Sequence, residues 1–161
     1  MGGNPWGGIK LKDITNQCTF SWYTEFDEIT HGSIDSIHDG NMDTYCGGHT
    51  DIVGAGILGR LKITLPSEKL ILPIWKIKAG AQIGADACAR YLNLRFGDDI
   101  FDGASYRTGY LVSTKYSCLF AAHAGNPVGF CSEFSLSASS AAAGDYAIEF
   151  YEVRALELVG V

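Results

Sequence analysis

Apolar and polar residues alternate with a period of two along much of this chain, the pattern of strands with one buried face. The clearest case is 61–65, where Leu61, Ile63 and Leu65 fall on one side and Lys62 and Thr64 on the other. Pro66 and Ser67 are expected to end that strand. Residues 74–78 alternate less cleanly. In 89–96, Leu92, Leu94 and Phe96 share a face, and Gly97-Asp98-Asp99 is expected to turn the chain. Weaker strand signals lie at 9–15 and 18–24, and short ones at 109–112, 116–121 and 129–136. A short helical turn is expected at 34–38, capped by Ser33. The Ser- and Ala-rich run 135–144 has few large side chains and predicts a loop. The longest periodic segment is 146–159. Its large residues change face near Val153 and Arg154, which predicts a bulge or bend. Short strands between turn signals, without alternating long helices, give an all-β sandwich or barrel.

Composition sharpens that picture. The 161 residues suffice for one domain, and 47% of them are hydrophobic, so the core needs no staple. Residues 1–8, with four Gly and one Pro, predict an N-terminal docking arm, and 9–161 form the domain. The net charge of −6 without a basic run is a poor match for nucleic acid. No apolar run is long enough for a membrane helix. The start lacks the basic and apolar regions of a signal peptide, so the expectation is synthesis in a cytoplasm. Five cysteines are an odd count, and free thiols are expected. Cys118 and Cys131 could pair across a hairpin in an oxidising exterior.

Three segments resemble the discoidin, or coagulation factor 5/8 type C, family and its carbohydrate-binding relatives. The first is Ile37-His-Asp-Gly-Asn-Met-Asp-Thr-Tyr-Cys46, similar to that family's Ala-x-Asp-Gly-Asn-x-x-Thr-x-Trp loop. Asp39, Gly40, Asn41 and Thr44 match, while Cys46 replaces the Trp. The second is Arg60-Leu-Lys-Ile-Thr-Leu65 followed by 74–77, with Tyr91 to Asp99 beyond. The third is Leu156-Glu-Leu-Val-Gly160, similar to the closing strand. The resemblance spans 9–161 and implies an antiparallel galactose-binding-like jelly roll. Val161 stands where secreted members close their terminal disulfide, so this chain departs from them.

The oxygen-rich run 39–44 suits calcium, which takes six to eight hard oxygen ligands. The resemblance implies such a structural ion, helped by a Glu on the last strand. That position falls at Ala155, and Glu157, two residues on and on the same face, can substitute. The candidate metal set is Asp39, Asn41, Thr44 and Glu157. The alternative is a metal-free turn in which Asp39 binds backbone amides. Cys46 and His49 offer a soft ligand pair, but zinc needs four ligands and no second pair is present. The same two residues lack the third group of a nucleophilic site. Aromatic faces suit the apolar side of a sugar ring. The candidate glycan-binding set is Trp22, Tyr23, His49 and Tyr106, and packing in a core or interface is the competing role. Tyr45 is a further aromatic in loop-like surroundings.

These features give a non-catalytic, lectin-like module binding a glycan or cell-surface carbohydrate, plausibly on a virus or phage particle. The rival is a structural subunit of a virion, head, tail or fibre that packs against copies of itself or other proteins without binding sugar.

Overall fold

The computed structural model describes residues 8–24, 28–41, 43–52, 56–81, 91–97, 105–110, 117–120, 128–140 and 144–160. Except for Gly8, the arm expected at 1–8 lies outside them. Among the described residues there are ten strands: β1 (Lys10–Asp13), β2 (Thr19–Thr24), β3 (Glu28–His31), β4 (Cys46–Ile52), β5 (Gly56–Ala81), β6 (Tyr91–Phe96), β7 (Ser105–Tyr110), β8 (Ser117–Phe120), β9 (Gly129–Ser140) and β10 (Gly144–Val159). Every pairing is antiparallel. The all-β expectation holds. Among the described residues no helix is long and apolar enough to cross a membrane.

β5 joins the two layers. Its first part pairs with β2 and β9, and β9 carries β6 and then β7. Its second part pairs with β10 and β8, and β10 carries β4 and then β3. Pro66-Ser67 therefore do not end the strand, contrary to expectation. The register with β9 instead jumps from Thr64 to Lys69, and the exposed Pro66, Ser67 and Glu68 fall inside that bulge. Proline has no N–H for a ladder, so a bulge is where a strand tolerates it.

The two layers bury their facing side chains. Leu61, Ile63, Leu94, Phe134 and Leu136 come from one, and Ile71, Trp75, Ile77, Phe150 and Val153 from the other. Trp22 meets Phe150 edge-on across the core, with ring centroids 5.6 Å apart.

Two further expectations need correcting. Residues 135–140 are strand, not loop, because β9 lies between β5 and β6. Phe134 and Leu136 fill the core, while the small Ser135 and Ser137 lie on the other face. The irregularity in β10 comes earlier than the apolar pattern suggests, between Phe150 and Glu152 in its pairing with β5. It lets the consecutive Phe150 and Tyr151 both be buried.

The short turn forms as expected, as a 3-10 helix at Ile34–Ile37. Ser33 N–H donates to Ser36 Oγ at 3.4 Å, and Ser36 N–H donates to the Ser33 carbonyl at 3.0 Å. Cys131 is a free, buried thiol opposite Lys69, whereas Cys118 lies opposite Lys76. The Cys118–Cys131 pair is not formed. Burial pushes the Cys131 thiol up to about 11, so it is inert at neutral pH.

Candidate functional site

The Asp-Gly-Asn turn sits between the 3-10 helix and β4. Asp39 Oδ1 accepts the Asn41 N–H at 2.7 Å, and Asn41 Oδ1 accepts the Asp43 N–H at 3.0 Å. Successive Asx bonds of this kind hold the chain in a tight loop. These contacts lower the Asp39 pKa, with the Asn41 amide first and the Thr44 hydroxyl second.

The Thr44 hydroxyl lies at the middle of an oxygen cluster. Its Oγ1 is 2.8 Å from Asp39 Oδ2, 3.0 Å from the Asn41 carbonyl and 3.4 Å from the Ser36 carbonyl. A hydroxyl has one proton to donate. It cannot fully satisfy three acceptors, so the cluster is richer in oxygen than its hydrogen bonds require. A hard cation takes this kind of donor set.

Beside the loop is a cleft of about 380 Å³ lined by Asp13, His38, Asp39, Gly40, Glu152 and Arg154, among others. Thr15 fixes one wall. Its hydroxyl donates to Asp13 Oδ1 at 2.6 Å and accepts the Ala155 N–H at 3.0 Å. Glu152, on β10, is 3% exposed. Its Oε1 accepts Arg154 Nε at 3.1 Å, while its buried Oε2 finds no hydrogen-bond partner. Burial raises the Glu152 pKa. Arg154 and, more weakly, the Gly40 backbone N–H oppose that shift, and the charge of Asp39 adds to it. A carboxylate oxygen without a full hydrogen bond near a second carboxylate is chemistry a hard cation accepts, with the rest of its oxygen shell having to come from carbonyls and hydroxyls.

Sequence reasoning missed Glu152. Counting back from Gly160 points to the neighbourhood of Ala155, and Glu157 was the substitute. The structure does not bring Glu157 to this cleft. Its Oε1 instead accepts Lys69 Nζ at 2.7 Å. The register of β10 is unbroken from Glu152 to Glu157, so Glu152 lies on the opposite face of the strand from Ala155 and Glu157, and a count along their face selects the wrong acid. Among the described residues no group of three or more His, Cys, Asp and Glu side chains is placed to hold a metal. Any ion here would depend on carbonyl and hydroxyl oxygens as well.

The aromatic candidates separate. Trp22 is half-buried against Phe150 and the core. Tyr23 is 47% exposed, and its ring lies 5.5 Å from the Arg60 guanidinium. Tyr106 is placed only by register, opposite Leu94 on β7. His49 is half-buried on β4, opposite Ala147 and Glu28. Cys46 and His49 are three apart on a strand, so their side chains leave opposite faces. They form neither a ligand pair nor a nucleophilic pair. Tyr45 stacks on His31, with centroids 4.1 Å apart, and packs beside Tyr151.

No protein-family model and no curated protein matches this sequence. Solved structures do match. One is a family 32 carbohydrate-binding module of NanJ from C. perfringens in complex with galactose. It has 15% identity and a TM-score of 0.52, covering 92% of this chain and 100% of that one. A second is a mutant of the lectin-binding domain of lectinolysin complexed with Lewis b, at 11% identity and TM-score 0.55, covering 92% and 98%. A third is the module CpGH89CBM32-5 from Clostridium perfringens with GalNAc-β-1,3-galactose, at 14% identity and TM-score 0.51, covering 89% and 99%. At these identities the likeness establishes architecture, and the chain is an antiparallel jelly-roll sandwich with the galactose-binding-like fold of the family 32 carbohydrate-binding modules.

Proposed function

We propose that this chain is a non-catalytic glycan-binding module stabilised by calcium at the Asp39 loop. The observation that carries the glycan reading is the match, over about nine-tenths of the chain and nearly the whole of each partner, to modules crystallised with sugars. Tyr23 supports it, as an exposed ring available to the apolar side of a pyranose. Trp22 backs the same strand from within the core.

The calcium reading is supported by the oxygen cluster around Thr44. Asp39, Asn41, Thr44 and the Ser36 carbonyl would hold the ion, with Glu152 supplying the second acid. Bound there, calcium would supply charge that gathers these oxygens and fixes the loop. A glycan array probed with and without chelator tests both parts. Saturable binding to particular glycans is expected, weakened by chelator. Absence of binding to any glycan overturns the first part, and indifference to chelator in both binding and melting overturns the second.

The assembly reading has its own support. β1 is exposed along its whole length, and Ile9, Leu11 and Phe130 are exposed apolar residues. Such a strand suits contact with another subunit, on a virion or elsewhere. Sedimentation at micromolar protein checks it. A larger assembly without sugar affinity would favour this reading over the first.

A further inference from the structure

The outer face of the β5–β9–β6 layer carries two arginines with unmet hydrogen-bonding capacity. Arg60 on β5 lies opposite Ser137 on β9, and Arg95 on β6 lies opposite Ser135. Ser135 and Ser137 are two apart and share the face away from Phe134 and Leu136. Arg60 is 3% exposed, yet its Nε and Nη2 find no hydrogen-bond partner. Nε and Nη1 of Arg95 are likewise buried and unpartnered. Lys62, the third cation along this face, already pairs with Glu133 at 2.7 Å. No carboxylate among the described residues pairs with either guanidinium.

Buried guanidinium donors without partners are costly. A guanidinium cannot shed its proton to escape burial. Burial and the positive charge of Arg95 both push the Arg60 pKa down, with Tyr23 opposing them. Nε–H and Nη2–H of Arg60 lie along one edge and match an oxyanion that accepts parallel N–H bonds, whereas Nε and Nη1 of Arg95 lie on different edges and each offers a single donor. Ser137, almost wholly buried beside Arg60, adds a hydroxyl at that register. The Tyr23 ring, itself 47% exposed, lies 5.5 Å from the Arg60 guanidinium on one side.

We propose that Arg60 and Arg95 form an oxyanion subsite for an acidic sugar, binding its carboxylate or sulfate while Tyr23 packs on the ring. This deepens the glycan reading and rests on it. It names the class of sugar as acidic rather than neutral.

The test is an array carrying neutral, carboxylated and sulfated versions of the same glycans, probed with the whole chain and with Arg60→Met and Arg95→Met. Binding confined to acidic versions is expected, with at least a tenfold loss in each variant and weakening at high salt. Both variants should fold and melt no lower than the native chain without ligand, because each removes a buried unpaired charge. Glucuronate should raise the melting temperature of the native chain and leave both variants unchanged. Binding to neutral glycans alone, or acidic binding that survives both substitutions, overturns the subsite and leaves the glycan reading standing. Stabilisation by inorganic sulfate without binding to any acidic glycan also overturns it. Failure to bind any glycan removes the glycan reading and this inference together.

Discussion

A single proton on Thr44 faces three acceptors, while Oε2 of the buried Glu152 makes no full hydrogen bond. Asp39, which takes the Thr44 hydroxyl's bond, and Glu152 line one cleft, and the two carboxyls have opposite pH signatures. The folded pKa of Glu152 is raised, so the folded state holds that proton more tightly than the unfolded chain. Its contribution to stability is greatest at low pH and is lost as pH rises from the usual carboxylate value of 4.5 through the raised one. Asp39 has a lowered pKa, so its contribution is present above the ordinary carboxylate range and is lost as pH falls through the folded value. In calcium-free buffer, Glu152→Gln should therefore gain stability relative to the native chain between pH 4 and pH 7. Urea midpoints at the two pH values check this, and an unchanged difference between the two proteins would count against it. With calcium at a hundredfold excess over its dissociation constant, the native chain should gain about 2.7 kcal/mol by mass action. Asp39→Ala should lose that gain, because it removes a ligand and a countercharge together. Calorimetric melting with calcium and with chelator decides the matter.

Among the elements, alternation identified strands well where one face is buried and poorly where no large side chain marks the period. Residues 61–65 and 91–96 were legible because Leu61, Ile63, Leu94 and Phe96 recur at every second position. β3 and β4 were not, because β4 is Cys46-Gly-Gly-His-Thr-Asp-Ile52 and two buried glycines carry no hydropathy signal. The Ser/Ala part of β9 was missed for the same reason. Pro66 misled in the other direction, since a bulge absorbed it. Glycine at position 32 is required locally. It links β3 to the 3-10 helix at φ +69°, and an added Cβ there would collide with the Tyr45 carbonyl. Gly32→Ala should cost about 2 kcal/mol or more, combining left-handed backbone strain with that clash. Gly129→Ala differs in kind, because the nearest atoms its Cβ would meet are those of the Phe96 ring rather than backbone. That ring is half-buried and can shift, so a smaller loss is expected in denaturant titration.

At the scale of the whole molecule, the jelly roll was legible because an ordered set of segments constrains topology even when each motif is short. The candidate sites were only partly legible. Asp39, Asn41 and Thr44 are neighbours in sequence, so one motif reveals them. Glu152, Arg60 and Arg95 reach their places through pairings and a bulge that hydropathy does not encode. Trp22 and Tyr23 show how adjacent residues on one strand divide between the core and the proposed glycan site. Alternation sends Trp22 toward the core, where it meets Phe150 from the opposite layer, and leaves Tyr23 exposed beside Arg60. The two should therefore respond differently to truncation. Trp22→Ala removes a half-buried contact that ties the layers together and should lower stability by about 2–3 kcal/mol, below the 3–5 kcal/mol of a fully buried aromatic. Its glycan affinity, measured at a temperature where it remains folded, should change little. Tyr23→Ala should leave stability within about 0.5 kcal/mol, as exposed positions do. Its loss should instead appear as at least a fivefold weaker glycan affinity. Chemical denaturation paired with calorimetric titration separates the two outcomes. If Trp22→Ala abolishes binding at native stability, the division is wrong and Trp22 itself faces the ligand. If Tyr23→Ala unfolds the domain while the little folded protein left still binds, the exposed ring serves the sandwich rather than the sugar.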